Sequence, residues 1–137
     1  MISTTFHQVP EPTFFAELNI WLSSVVAELF QNTDTISYVF CTDKYLLEIN
    51  KTQLNHDYYT DIITFDLRDK LSEPLSCEIY ISLDRVKENA AQFNCTFEEE
   101  LKRVMVHGLL HLSGMNDHTT EEKAAMRKAE NNFIKKY

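Results

Sequence analysis

The sequence has very little glycine, proline or cysteine. Its 137 residues include two glycines, three prolines and three cysteines, and no repeat, linker or low-complexity tract. Hydrophobic residues make up 44% and charged residues 25%, which is typical of a globular protein and excludes collagen-like or disordered chains. The odd number of widely spaced cysteines argues against a disulfide scaffold and favours a reducing compartment. We therefore expect one domain over residues 1–137.

Long hydrophobic runs and a secretory signal are also missing. The longest apolar-rich run, residues 20–30, contains Ser23, Ser24 and Glu28 and is too short to span a bilayer. A secretory signal begins with basic residues, whereas the first basic residue here is Lys44. These absences predict a cytoplasmic protein that does not associate with a membrane.

Basic residues are absent from positions 1–43, which carry five acidic side chains. Over the whole chain, 13 basic residues against 21 acidic ones give a formal net charge of -8. A protein that binds nucleic acid over a broad surface is usually basic. Any binding of RNA must therefore use a local patch, a metal ion or a protein partner.

Hydrophobic periodicity predicts an α+β fold, with one helix buried among short strands and other helices packed around it. Thr13, Asp43 and Asp84 are candidate N-caps, and Thr96 and Thr119 each open a capping-box pattern. The predicted strands are residues 2–9, 36–41, 60–67 and 78–82, and the predicted helices are 13–30, 43–51, 84–93, 96–114 and 119–135.

The helix after Thr96 carries two histidines in an otherwise apolar stretch. From residue 104 to 112, His107 and His111 are the only polar side chains, which indicates a buried helix whose imidazoles need partners. Their i, i+4 spacing is the one by which a single helix supplies two ligands to a zinc-like ion. The metalloprotease pattern requires Glu after the first histidine, where this chain has Gly108, so protease chemistry is disfavoured.

Both glycines of the chain lie in this histidine window. Gly108, in mid-helix, indicates that a strand, a substrate or a ligand approaches the backbone closely. Gly114 should end the helix, and Asp117 and His118 follow it. A third ligand from this loop would leave a coordination position open, which is the arrangement of catalytic rather than structural zinc.

Residues 107–114 (HGLLHLSG) resemble the signature of the YbeY family of bacterial rRNA maturation factors, His-Gly-x-Leu-His-Leu-x-Gly-Tyr-Asp-His. Residues 60–65 (TDIITF) and 78–90 (EIYISLDRVKENA) resemble two further segments of that family. Asn50, Asp57 and residues 121–130 also fall where the family has similar residues, so the resemblance covers about residues 46–130.

The resemblance implies a central buried metal-binding helix, a mostly parallel four-stranded sheet and flanking helices. It implies a metal-dependent hydrolase domain with one metal ion, zinc, held by three histidines. It also implies a single-strand-specific endoribonuclease that acts in rRNA maturation, including processing of the 3′ end of small-subunit rRNA, and in ribosome quality control. The implied partners are single-stranded rRNA and the small ribosomal subunit or its assembly proteins.

The third ligand is ambiguous, because the chain reads Met-Asn-Asp-His after Gly114 instead of Tyr-Asp-His. An alignment without a gap puts Asp117 in the third-ligand column, whereas keeping Asp-His as a pair selects His118. Either residue type binds zinc. We expect His107, His111 and His118 to be the ligands, and Asp117 to be a general base or water-orienting group.

Two further positions depart from the family pattern. Leu54 stands where the family usually has an arginine suited to binding phosphate, which weakens the nuclease interpretation or moves that role to Arg68, Arg85 or Lys87. Cys77 replaces a glycine and is expected to be a buried core residue rather than a ligand.

Other polar and aromatic residues have competing interpretations. Asp61 either holds a ligand histidine or braces a strand end. Tyr58 and Tyr59 either stack on bases or pack in the core, and core packing is favoured for Phe65. His7 and His56 are expected in loops or on the surface.

Two other functions compete with a nuclease. The first is a non-catalytic ribosome assembly factor with a structural metal site, which the net charge and Leu54 favour. The second is a hydrolase of a small substrate, because three histidines and a metal do not specify the substrate.

Overall fold

Four strands and five helices form the protein in the computed structural model, which describes residues 1–137. None of these helices is both long and apolar enough to cross a membrane. In chain order the elements are β1 (Ile2–Phe6), α1 (Phe15–Leu29), β2 (Thr33–Cys41), α2 (Asp43–Gln53), β3 (Ile62–Asp66), β4 (Leu75–Ser82), α3 (Leu83–Gln92), α4 (Phe97–Leu112) and α5 (Thr120–Lys136).

The sheet has the strand order β1-β2-β4-β3. Strands β1, β2 and β4 run parallel, and β3 pairs antiparallel with β4 at the edge. Alternate residues of the two central strands are buried on one face, since successive side chains of a strand point to opposite sides. The predicted mostly parallel four-stranded sheet is confirmed.

Helix α4 packs across the sheet and contacts α1, α3 and α5. Nine of its sixteen residues are buried, including Leu101, Met105 and Leu109. The hydroxyl of Tyr38 on β2 donates a hydrogen bond to the Met105 carbonyl at 3.1 Å, so the helix is fixed to the sheet at its middle. The predicted buried central helix is confirmed.

Gly108 allows strand β3 to pack closely on α4. A Cβ atom at this position would lie 2.9 Å from Ile62 Cδ1 and 3.3 Å from Thr64 Oγ1. Of the three candidates for the close approach, a strand, a substrate or a ligand, the structure therefore shows the strand. The cost of a glycine within a helix is offset by the closer packing of α4 on β3.

Three of the predicted helix caps are wrong. Helix α1 begins at Phe15, and its N-cap Phe14 forms no side-chain hydrogen bond, so Thr13 does not cap it. The N-caps of α2 and α3 are Thr42 and Ser82, whose hydroxyls accept hydrogen bonds from backbone N–H groups of the first turn.

Asp43 and Asp84, which the sequence suggested as caps, instead bridge α2 and α3. The Asp84 carboxylate accepts a hydrogen bond from the Asp43 N–H at 2.9 Å, and the Asp43 carboxylate pairs with Arg85 at 2.7 Å. Tertiary pairing therefore replaces the local capping that an aspartate at a helix start usually provides.

The two predicted capping boxes differ in the structure. Thr119 and Glu122 form both reciprocal hydrogen bonds, which confirms the box at the start of α5. At the start of α4, Thr96 accepts a hydrogen bond from the Glu99 N–H, but the return bond from the Glu99 side chain is absent. Thr96 is the N-cap as predicted, but only one of the two reciprocal hydrogen bonds of a capping box is formed.

Gly114 forms the turn that ends α4. The Gly114 N–H donates to the His111 carbonyl at 3.0 Å, and the Met115 N–H donates to the Leu110 carbonyl at 3.1 Å. This pair of bonds is a Schellman motif, which requires a left-handed residue, and Gly114 has φ +108°. The turn reverses the chain, so that residues 115–118 return towards the histidines of α4.

We expect Gly114→Ala to lower the free energy of unfolding by about 1–3 kcal/mol, because an L-residue is strained at this φ. A Cβ there meets no atom within 4 Å, so the loss reflects backbone strain alone. Urea denaturation of the variant and the wild type measures the difference. An unchanged midpoint would show that the turn relaxes without cost.

Candidate metal centre and its cleft

His107 and His111 lie one turn apart on α4 with their Nε2 atoms adjacent. The Nε2 atoms are 3.0 Å apart and the ring planes are nearly perpendicular, at 82°. Both side chains are about one-third exposed or less, at 27% and 33%. The i, i+4 spacing therefore places two imidazole nitrogens at one point on the protein surface.

Asp117 completes a cluster of three donor groups. Its Oδ2 atom lies 3.6 Å from His107 Nε2 and 3.5 Å from His111 Nε2. The cluster combines two residues of α4 with one residue from the loop after Gly114. In the structure these are the three residues whose donor atoms come close enough to hold one metal ion.

His118 lies outside this cluster. Its side chain is exposed, and its backbone N–H donates to Glu122 Oε1 at 3.2 Å, next to the capping box of α5. The structure thus brings Asp117, and not His118, to the two histidines of α4. The extra residue after Gly114 explains this arrangement. The third residue after the glycine, which is histidine in the family pattern, is Asp117 in this chain.

The outer nitrogens of both histidines are hydrogen-bonded to acceptors. His107 Nδ1 is 2.7 Å from Glu130 Oε2, and His111 Nδ1 is 3.0 Å from the Met115 carbonyl oxygen. A carboxylate and a carbonyl accept only, so in the neutral imidazoles each Nδ1 carries the proton and each Nε2 presents a lone pair. Two lone pairs and a carboxylate oxygen then face one another, and a cation between them removes that repulsion.

The distances within the cluster fit a zinc-like ion. Ligand atoms on a tetrahedral zinc lie about 3.3 Å apart, because each bond is about 2.0–2.1 Å long. The three separations here are 3.0, 3.5 and 3.6 Å, and the centre of that triangle is about 2.0 Å from each atom. Three protein ligands leave a coordination position for water or substrate, as in catalytic zinc sites.

The charges around His107 also favour a cation. Burial lowers the pKa of its imidazole, but the hydrogen bond to Glu130 and the negative charges of Glu130, Asp117 and Asp61 outweigh burial and raise the pKa. Negative surroundings that stabilise imidazolium stabilise a metal ion at the same place.

Glu130 is a buried carboxylate that the sequence analysis missed. It is 5% exposed, and besides binding His107 it lies 3.5 Å from Arg103 Nη1. Arg103 in turn donates to Asn131 Oδ1 at 2.7 Å and lies 3.5 Å from Glu100. The sequence carries a signal that Glu130 is buried, because it recurs at helical spacing with Met126 and Phe133, the other buried residues of α5.

A cleft of about 430 Å³ opens beside the cluster, between α3 and α5 and above α4. His107 and Asp117 are among the residues that line it. Its charged lining comprises four carboxylates and three cations, namely Asp61, Glu100, Asp117, Glu130, Arg103, Lys123 and Arg127. The volume is that of a small-molecule site, and a metal ion in the cluster would face the cleft.

Asp61 does not hold a ligand histidine. Its carboxylate lines the cleft and accepts a hydrogen bond from Asn89 at 3.4 Å, while its backbone carbonyl accepts one from Ser82 at 3.0 Å. Burial raises the pKa of Asp61. The role of holding a ligand histidine is filled by Glu130 on His107.

The expected substitutes for the missing arginine do not line the cleft. Arg68 is bound to Asp66 and the Leu112 carbonyl, Arg85 is paired with Asp43, and Lys87 lies over the Phe97 ring. The cations that do line it are Arg103, Lys123 and Arg127. The sequence offered a signal, because Lys123 and Arg127 are spaced i, i+4 on the helix that follows the site.

The other candidates lie away from the cluster. Cys77 is buried in the core, as expected, and burial raises its pKa to about 12. Leu54 is 38% exposed at the end of α2. Tyr58 and Tyr59 are exposed, so they do not pack in the core. Phe65 packs edge-on against Tyr80, as expected of a packed ring. His56 stacks on Tyr58, and His7 lies against Tyr45.

These features define an α+β protein with a candidate metal site of two histidines and one aspartate at the edge of a charged cleft. The sequence profile described as Endoribonuclease YbeY matches residues 3–137. The chain belongs to this family of endoribonucleases.

Curated relatives share close to half of the aligned residues. The chain is 46% identical to the endoribonuclease YbeY of Cytophaga hutchinsonii over 115 residues, which cover 84% of this chain and 80% of the relative. It is 47% identical to that of Flavobacterium psychrophilum, with 84% and 81% covered. For the endoribonuclease YbeY of Bacteroides thetaiotaomicron, identity is 44%, with 86% and 85% covered.

A solved structure has the same fold. The solution structure of a Thermotoga maritima protein superposes with a TM-score of 0.70 at 27% identity, and the match covers 98% of this chain and 89% of that one. The two proteins therefore share their fold over nearly the whole length of each chain.

We expect Glu130→Gln to weaken zinc binding by about 10- to 100-fold, the usual effect of changing a residue that orients a ligand histidine. Glutamine keeps the size and the hydrogen-bond acceptor but removes the charge, and it leaves Arg103 with Asn131 and Glu100 as partners. Competition with a chromophoric chelator measures the affinity.

Glu121→Gln is the matched control, since this glutamate is exposed on the same helix. It should bind zinc like the wild type. Equal affinities for Glu130→Gln and Glu121→Gln would show that the Glu130 charge does not support the site.

Proposed function

We propose that this chain is a zinc-dependent, single-strand-specific endoribonuclease that matures rRNA in the cytoplasm. The observation that carries the proposal is the cluster of two Nε2 atoms and one carboxylate oxygen, 3.0–3.6 Å apart, beside a cleft. Membership of an endoribonuclease family supports hydrolysis of RNA. The assignment to rRNA, including the 3′ end of small-subunit rRNA, and to ribosomal partners rests on the resemblance of the histidine window.

Three residues would hold the ion. His107 and His111 offer Nε2, and Asp117 offers Oδ2, so Asp117 takes the place for which the sequence favoured His118. A bound zinc ion supplies a water of lowered pKa and polarises the phosphoryl oxygen. Glu130 and the Met115 carbonyl keep the two imidazoles oriented throughout the reaction. Asp117 also remains the candidate for orienting the attacking water, through its second carboxylate oxygen.

The size of the cleft favours a single strand. A volume of about 430 Å³ between two helices accommodates a nucleotide of an extended strand but not a duplex. The phosphodiester must reach His107 and Asp117 in the lining of the cleft, which favours bases that are free of pairing.

A non-catalytic assembly factor with a structural metal is the second candidate. The observation that favours it is Leu54, because the arginine of the family pattern is absent and Arg68 and Arg85 are engaged in ion pairs. The open coordination position argues against it, since structural zinc is usually closed by four protein ligands.

The third ligand is tested by two alanine substitutions. We expect Asp117→Ala to weaken zinc binding far more than His118→Ala, because only Asp117 reaches the two histidines. Chelator competition measures both affinities. The opposite order would make His118 the ligand and would require the loop after Gly114 to rearrange on binding.

Removal of the metal tests catalysis. Cleavage of a labelled single-stranded RNA should vanish on chelation, return with added zinc, and be absent in His111→Ala. His56→Ala, which changes an exposed histidine outside the cluster, should cleave like the wild type. Metal-loaded protein that leaves the RNA intact, yet binds small ribosomal subunits even as His111→Ala, would support the assembly factor instead.

A further inference from the structure

Two cations on α5 form one wall of the cleft. Lys123 and Arg127 are spaced i, i+4, so they lie on the same face of the helix, and both are exposed. The ion pairs of α5 use Glu130 and Lys136, whereas Lys123 and Arg127 form none. Two unpaired cations side by side at the mouth of a cleft are suited to one phosphate group.

An amide on α3 and an aromatic ring at the C-cap of that helix form another wall of the cleft. Asn89 and Phe93 are also four residues apart, and both line the cleft. The Phe93 side chain is 56% exposed, although it is one of the larger apolar side chains. An aromatic face on the wall of a polar cleft offers a planar ligand a stacking surface.

The floor of the cleft is negatively charged and therefore determines where a phosphate can lie. Glu100, at 4% exposed, and Asp61 lie there, and Arg103 is already shared between Glu100 and Glu130. A phosphate is excluded from the floor, so it must stay at the mouth, next to α5.

We propose that this cleft is a subsite for one nucleotide of the RNA strand, with its phosphate on Lys123 and Arg127 and its base stacked on Phe93. The subsite rests on the proposed nuclease function, since it places the neighbouring phosphodiester beside His107 and Asp117, which line the same cleft. It also supplies the phosphate contacts that Leu54 cannot make.

The cationic wall is tested by the salt dependence of binding. The probe is a fluorescent single-stranded oligoribonucleotide whose phosphorothioate linkages keep the backbone charge and resist cleavage, and its anisotropy is measured with the zinc-loaded full chain. Each phosphate contact contributes about 0.7 to the slope of log affinity against log salt for single strands. Replacing both Lys123 and Arg127 by alanine should therefore make this negative slope shallower by about 0.7.

Lys128→Ala is the matched control for charge, because Lys128 is exposed on the same helix but does not line the cleft. It removes one positive charge and should leave the slope unchanged. Equal slopes for the wild type, Lys128→Ala and the double variant would overturn the phosphate contact.

The aromatic wall is tested by three substitutions of Phe93. Phe93→Ala should weaken binding by about 5- to 150-fold, the range for loss of one base–aromatic stack. Phe93→Leu keeps an apolar side chain without a planar face and should bind RNA as weakly as Phe93→Ala. Phe93→Tyr keeps the aromatic face and should bind RNA like the wild type. Circular dichroism confirms that each variant is folded. If Phe93→Leu binds like the wild type, no base stacks there.

The subsite and the nuclease can fail separately. If the variants of both walls bind RNA like the wild type while metal-loaded protein still cleaves it, the subsite is wrong and the nuclease stands. If wild-type protein neither binds nor cleaves single-stranded RNA, both proposals are overturned.

Discussion

The orientation of two imidazole rings is the constraint on which the candidate site depends. His107 and His111 could each rotate or exchange tautomers, but their Nδ1 atoms are held at 2.7 and 3.0 Å by Glu130 and the Met115 carbonyl. The two acceptors come from different parts of the fold, one from α5 and one from the turn after α4. The site therefore exists only when α5 is packed and the turn at Gly114 is formed, so the binding of a metal ion there would be coupled to folding.

The same constraint explains the local sequence. Gly108 lets β3 approach α4 within contact distance, next to the side of the helix that carries the histidines. Gly114 supplies the positive φ that turns the chain back, so that Asp117 lies 3.5 Å from His111. Both glycines of the chain thus serve the geometry of one site, the first by its small size and the second by its backbone angle.

Features coded by nearby residues were predictable, and features that depend on tertiary partners were not. The buried helix, the histidine pair and the Thr119 capping box follow from short-range spacing. Asp43 and Asp84 were misassigned as caps, because each finds its partner on the other helix. Glu130 was missed because nothing near it in the sequence shows that it reaches His107, 23 residues away. The choice between Asp117 and His118 needed the path of the loop, which spacing alone does not determine.

The charge of the cleft connects metal binding to RNA binding. Its lining carries four carboxylates against three cations, an excess of one negative charge, on a chain of net charge -8. A divalent ion at His107, His111 and Asp117 reverses that excess to one positive charge. Two of the three residues that would hold the ion line the cleft, so salt would screen such a change only in part, because the Debye length is about 8 Å at physiological ionic strength. With the ion bound, this acidic protein would attract a phosphodiester more strongly to the cleft than to the rest of its surface.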